Sequence, residues 1–323
     1  MQTRIARRLG VPVSLLGYGM WGLAGWKDTD EAEVELALDA AVASGVTFFD
    51  TAFAYGDGRS EGVLGRLVRR HPTKTFFTAS KIPPKNRIWP APPDAPLEDC
   101  FSAAHIREYT EKTLSNLGLP HVDLMQFHVW QDAWAADPAW PRAVLDLKRD
   151  GLIKAIGISL NRWEPWNGLA TLRTGLIDAV QVVYNIFDQA PEDELFPLCR
   201  ELGIAVIARV PFDEGSLAGQ LSRDRTFPEG DFRRTYFNGQ NTAATMDRIE
   251  RLMGVLPAGM TLPEMALRFI ISNPDVTTVI PGMRRMQSVS GNLSAETAGP
   301  LGDALIAQLR SHRWDRQPAR KTD

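Results

Sequence analysis

Residues 46–56 read Val46-Thr47-Phe48-Phe49-Asp50-Thr51-Ala52-Phe53-Ala54-Tyr55-Gly56. A β-branched and aromatic run with no polar alternation predicts a strand covered on both faces, which is the habit of parallel sheets connected by helices. The run ends on an acid, and a phenol follows five positions later. Together Asp50 and Tyr55 are a candidate proton-transfer pair; taken alone, Asp50 reads equally as a turn residue and Tyr55 as a packing residue.

Runs of the same kind recur along the chain. Strands are predicted at 14–17, 46–50, 75–81, 122–127, 153–159, 179–183, 204–210 and 277–280, with helical periods at 30–44, 60–68, 104–117, 140–149, 163–174, 193–202 and 262–272. Gly45 stops the first helix, and Ser60 predicts a capping box ahead of Val63, Leu64 and Leu67. Eight strands alternating with helices predict one α/β domain over residues 1–323, a closed (β/α)8 TIM barrel with a short N-terminal β-hairpin. A doubly wound open sheet is the competing topology. Against it, Gly17-Tyr18-Gly19-Met20-Trp21-Gly22 lacks the G-x-G-x-x-G fingerprint and the acid that should follow. Two segments exceed plain connections: a Pro-rich stretch at 82–99 around Trp89, and residues 211–239. Long loops after barrel strands lie on the catalytic face.

Bulk properties narrow the function class. The 323 residues include 36 Lys and Arg against 39 Asp and Glu, for a net charge of −3. With a sequence pI of about 6.0, no basic face for nucleic acid is expected. Cys100 and Cys199 stand far apart, outside any C-x-x-C spacing, and the five histidines show no ligand spacing, so no metal is expected. No apolar run reaches the roughly 18 residues of a membrane span and no signal-peptide pattern follows the N-terminus, so the expected setting is the cytoplasm. Oligomeric state is not legible.

The polar residues gather where strands end. Asp50 ends the second strand, Lys81 the third, His128 the fourth, Ser159 the fifth and Arg209 the seventh, with Tyr184 and Asn185 after the sixth. In a barrel those ends share one mouth, and burying several titratable groups there requires that they pair with one another. Over residues 17–292 the sequence resembles the aldo-keto reductase superfamily. The resemblance rests on Asp50-Thr51-Ala52-Phe53-Ala54-Tyr55-Gly56 with Gly58-Arg59-Ser60-Glu61 behind it, on Lys81 in Thr78-Ala79-Ser80-Lys81, and on His128 closing Val122-Asp123-Leu124-Met125-Gln126-Phe127-His128.

The resemblance implies reversible reduction of an aldehyde or ketone by NADP(H), with NAD(H) as a second option and a small carbonyl compound as the partner. Tyr55 would give the proton, Lys81 and Asp50 would set its acidity, and His128 would orient the carbonyl. Hydride arriving at carbon builds alkoxide charge on oxygen, which demands a donor and positive potential there. A phenol of pKa roughly 10 needs a neighbouring cation to serve as that acid. For the nucleotide the resemblance implies Gly19, Met20, Trp21 and Asp50, with Ser159, Asn161 and Gln181 at the carboxamide. It implies Arg209, Val210, Pro211, Phe212, Asp213, Gly215, Ser216 and Leu217 at the pyrophosphate, and Gly282, Met283, Arg284, Gln287, Ser288, Gly291 and Asn292 at the adenosine, with Arg284 as the candidate for a 2′-phosphate. Leu160 follows Ser159 where many members carry Asn, and Arg209 stands where an aromatic residue commonly stacks on the nicotinamide. Trp21, Trp26, Trp89 and Trp130 are candidate pocket walls beside Tyr55 and His128, and Asp132 and the Asp137, Trp140 region are candidate caps of the fourth helix, 140–149. Two other readings remain at this level: a Schiff-base lyase using Lys81, and a non-catalytic nicotinamide-binding sensor or regulatory subunit.

Overall fold

The computed structural model describes residues 1–23 and 30–316. A hairpin of β1 (Thr3–Ile5) and β2 (Pro12–Ser14) comes first. Eight parallel strands follow: β3 (Tyr18–Gly19), β4 (Phe48–Asp50), β5 (Phe77–Ile82), β6 (Val122–Phe127), β7 (Ile153–Ser159), β8 (Ala179–Val183), β9 (Ala205–Arg209) and β10 (Thr278–Val279). Each pairs with its sequence neighbour, and bridges Leu16 to Val279 and Gly19 to Gly282 join first strand to last. The barrel is therefore closed, as the sequence predicts. The expected first strand at 14–17 lies somewhat later, because Ser14 is taken by the hairpin while its hydroxyl receives the Thr47 amide at 3.0 Å.

The helices are α1 (Glu31–Ala43), α2 (Arg59–Arg70), α3 (Leu97–Phe101), α4 (Ala103–Leu117), α5 (Ala139–Arg149), α6 (Leu169–Arg173), α7 (Leu195–Leu202), α8 (Arg233–Tyr236), α9 (Gly239–Met253), α10 (Leu262–Ser272), α11 (Met286–Ala298) and α12 (Asp303–Arg310). Asp30 caps α1 through the Ala32 and Glu33 amides. The capping box at Ser60 does not form. Gly58 is the N-cap of α2, and Ser60, the second residue of the helix and fully buried, accepts from Thr51 Oγ1 at 2.8 Å and donates to the Met20 carbonyl at 3.1 Å. The helix expected over 163–174 shrinks to α6, since Pro165 and Gly168 interrupt it and Trp163 sits at φ 61°. Asp132 caps α6, accepting from the Ala170 and Thr171 amides at 2.8 Å, and Asp137 accepts from the Ala139 amide at the start of α5.

Alternation along the strands builds the interior in layers. Phe48, Phe77, Ala79, Leu124, Ala155, Ala179, Ala205, Ile207 and Ile280 pack together with Val13 and Ala6 of the hairpin, filling the barrel floor. The intervening residues, such as Phe49, Met125, Ile156, Val180 and Val206, pack in the larger cluster under the helices. Two positions beyond the floor residues, on the same face, stand Asp50, Lys81, Gln126 and Gln181. Apolar floor and polar mouth follow from one period of two.

Candidate active site

Four strands deliver the centre of the mouth. Lys81, at the end of β5, is fully buried and donates to Asp50 Oδ2 at 2.5 Å, to the Thr51 carbonyl at 2.8 Å and to Tyr55 Oη at 3.4 Å. Its ammonium also lies 5.0 Å from the Tyr55 ring centre. The other Asp50 oxygen accepts from Gln181 Nε2 at 2.9 Å and Gln126 Nε2 at 3.1 Å. Asp50 thus has both oxygens engaged while 2 % exposed, as a buried carboxylate requires. Gln126 was missed by sequence reasoning. Its parity with His128 on one strand was the available signal, and Gly157 makes room for it, since a β-carbon there would stand 3.1 Å from Gln126 Cγ and 2.8 Å from the Ala179 carbonyl.

His128 places its ring edge against Tyr55 and Trp89, at centroid distances of 5.7 and 5.9 Å. Burial, reinforced by the Lys81 and Arg209 charges, holds its pKa well below the ordinary histidine value, so the imidazole is neutral at pH 7. Burial likewise pushes the Tyr55 phenol up, with Lys81 pulling in the opposite direction. Lys81 acts in the direction expected of it, favouring the phenolate, while burial is the larger influence. For Lys81 burial favours the neutral amine, but the Asp50 carboxylate wins and raises its pKa.

The expected nucleotide residues divide in two. Gly19 sits at the barrel seam, where a β-carbon would meet the Ile280 carbonyl at 2.6 Å, and Met20 is fully buried. Pro211, Asp213, Ser216, Leu217 and Met283 are buried as well. Gln181 turns its amide nitrogen to Asp50, leaving Ser159 and Asn161 beside it at the end of β7. Arg209 donates to the Leu160 carbonyl at 3.0 Å, and burial with the Arg162 charge lowers its pKa to about 10. Gly215 and Gly282 have open space where a side chain would stand. Arg284 lies against Gly22, its Cδ 3.5 Å from the position of a β-carbon there, just ahead of α11. The first turn of α11 carries Gln287 and Ser288, the Arg285 side chain does not cap it, and Gly291 and Asn292 follow.

Buried polar atoms without a partner include His128 Nδ1, Asn161 Oδ1, Trp163 Nε1, Arg209 Nε and Asn292 Nδ2. Unsatisfied groups of this kind cost stability until a ligand completes them. Their places, at the ends of β6, β7 and β9 and on α11, fit a long ligand with amide, phosphate and adenine groups. Trp21, 40 % exposed, meets Phe232 edge to face at 5.3 Å, and Trp89 is 41 % exposed. Trp130 is corrected from pocket wall to core: it is fully buried, donates to Thr171 Oγ1 at 2.8 Å and packs among Phe127, Trp134 and Trp140. Trp26 lies outside the described residues. Among the described residues no helix is long and apolar enough to cross a membrane.

The chain is similar to known proteins over most of its length. The chain is 27% identical over 314 residues to the "NADH-specific methylglyoxal reductase" of Escherichia coli (strain K12), covering 93% of this chain and 94% of that protein. It is 28% identical over 321 residues to a "Probable voltage-gated potassium channel subunit beta" of Arabidopsis thaliana, covering 95% and 94%. Among solved structures, the holo form of the aldo-keto reductase AKR11C1 from Bacillus halodurans superposes with a TM-score of 0.73 at 26% identity, over 97% of this chain and 96% of that one. Residues 15–313 match the model of the Aldo/keto reductase family, and the chain belongs to that family of oxidoreductases.

Proposed function

We propose that this chain, acting as one catalytic domain in the cytoplasm, reduces aldehydes or ketones to alcohols with NADPH, Tyr55 giving the proton. The observation that carries the reading is the line Asp50, Lys81, Tyr55: a buried carboxylate holding a buried ammonium within hydrogen-bond reach of a phenol at the barrel mouth. The bound nicotinamide supplies hydride to the carbonyl carbon. The chain's residues do the rest. Tyr55 Oη donates to the developing alkoxide, and Lys81 stabilises the phenolate left behind. Neutral His128 donates a second hydrogen bond that fixes the carbonyl. Asn161 Oδ1, open to a donor while its nitrogen binds Glu164, suits a carboxamide N–H.

Arg284 and Arg285 ahead of the first turn of α11 support a 2′-phosphate. The Glu33 carboxylate, 3.4 Å from the Met286 amide, acts against it, so NADH is the second choice to be assayed. A nucleophilic Lys81 is disfavoured because Asp50 keeps it protonated.

The test is a panel of aldehydes and ketones followed by absorbance loss of NADPH and NADH, with wild type beside Tyr55→Phe. Expected are turnover by wild type and a loss of at least about a hundredfold in the variant, the scale of a general acid, with nucleotide affinity kept. Turnover by the variant at the wild-type rate removes Tyr55 from its role. Nucleotide binding with no turnover across the panel supports the sensor reading instead.

A further inference from the structure

Residues 210–219 take a main-chain path that three of their side chains disfavour. Val210, Asp213 and Glu214 lie in the left-handed region at φ 56°, 42° and 57°, and Gly215 follows at 104°. Non-glycine residues persist there only where their surroundings over-determine them. The restraint comes from acidic side chains turned into the protein. Asp213, 1 % exposed, accepts from Ser216 Oγ at 2.7 Å, Tyr236 Oη at 2.7 Å and Arg316 Nη2 at 2.8 Å, and Glu214 pairs with Arg162.

These restraints converge on Arg316, which follows α12. Its guanidinium forks onto Asp188, with Nε 3.2 Å from Oδ1 and Nη2 on Oδ2, and donates to Tyr236 Oη. It also stacks over Trp163 at 4.9 Å and Trp314 at 4.7 Å. Asn185 Nδ2 donates to Asp188 Oδ2 at 2.9 Å and to the Val210 carbonyl at 3.1 Å. Arg316 therefore reaches the left-handed stretch twice, at Asp213 directly and at Val210 through Asp188 and Asn185. The segment before it is fastened to the connection after β8 that carries Asn185 and Asp188, since the Trp314 amide donates to the Phe187 carbonyl at 2.8 Å and Gln189 Nε2 to the Leu309 carbonyl at 3.0 Å. Without the guanidinium, two buried carboxylates would share a site uncompensated, which neither burial nor mutual repulsion tolerates.

We propose that Arg316 is a positioning residue for the dinucleotide: the C-terminal segment holds the 210–219 loop in the shape that receives the pyrophosphate, and so sets nucleotide affinity. This rests on the reading of that loop as the phosphate cradle. Where the receptive shape is populated in only a fraction of molecules, apparent affinity falls by that fraction.

Nucleotide dissociation constants for NADPH and NADH, read by quenching of tryptophan fluorescence in the full chain, test it. The variants are Arg316→Ala, Arg316→Lys, Arg316→Ala with Asp188→Asn, and Asp132→Ala as a destabilised control far from the loop. Arg316→Ala should bind about tenfold more weakly or worse, corresponding to a receptive loop in a tenth of molecules. Arg316→Lys should fall between it and wild type. The double variant should regain affinity, because one of the two facing carboxylates is gone, and the control should bind as wild type despite its lower melting temperature. If Arg316→Ala does not fold, Arg316→Lys decides. Arg316 variants that melt earlier but bind within about twofold of wild type, less than the population effect allows, overturn the proposal and leave the function intact. Wild-type protein that binds neither nucleotide overturns both.

Discussion

At the residue scale the mouth is a problem of keeping the right groups charged. Asp50 and Lys81 satisfy each other, while His128, beside two cations, stays neutral. A histidine held neutral in the fold makes stability depend on acid. The unfolded chain takes up a proton at this residue as pH falls through about 6.5, and the folded chain does not. Stability contributed by the neutral ring is therefore present above that pH and declines below it. Thermal melts at pH 7 and pH 5 should show a smaller acid loss for His128→Gln than for wild type. Equal losses would mean that the wild-type ring titrates freely in the folded state. Asp50, Tyr55, Lys81 and His128 were each legible from their places at or after strand ends. Gln126 was missed although its parity with His128 was a signal, and Arg316 was missed because an arginine far along the chain from the strand ends carries no local signal of what it will meet.

At the element scale the sequence was clearest where one period ran uninterrupted. The strands β6, β7 and β8 fall on the predicted residues and are buried on both faces except at Lys154 of β7. Helix α9 was not predicted: it follows an irregular insertion, and only Ile249, Leu252 and two threonines of its residues are buried. The capping box at Ser60 failed because the cap pattern is local, whereas the hydroxyl is claimed by Met20 and Thr51 from neighbouring strand ends. Asp132 shows the converse, a cap supplied from another element. It satisfies two amides at the start of α6 and the Thr171 hydroxyl, which in turn receives the Trp130 indole. Asp132→Ala should cost about 1–2 kcal/mol, the range for a lost N-cap. Urea unfolding measures this, and an unchanged midpoint would show that water replaces the carboxylate without loss.

At the scale of the whole molecule, floor and mouth are opposite ends of the same strands and have separate tasks. The hairpin closes the floor, with Val13 fully buried there and Arg4 lying across the end of α10. Arg4 donates to the carbonyls of Ile271 at 2.7 Å, Asn273 at 2.6 Å and Val276 at 2.5 Å, spanning the turn that leads into β10. Removing the guanidinium leaves those carbonyls short of donors, and hydrogen bonds to a charged group are each worth about 1.5–3 kcal/mol. Arg4→Ala should therefore lower stability by about 3 kcal/mol or more on that scale. The packed floor layer of alanines, Leu124 and Ile207 stands between Arg4 and the polar residues at the mouth, so the loss should stay at the floor. Paired measurements decide this: urea unfolding for stability, and nucleotide titration of the folded protein for the site. The expected outcome is a clear fall in the first with the second within about twofold of wild type, since destabilisation of N relative to U leaves the affinity of N unchanged. A nucleotide affinity that fell with stability would mean that the barrel transmits strain along its strands, and that floor and mouth are one mechanical unit.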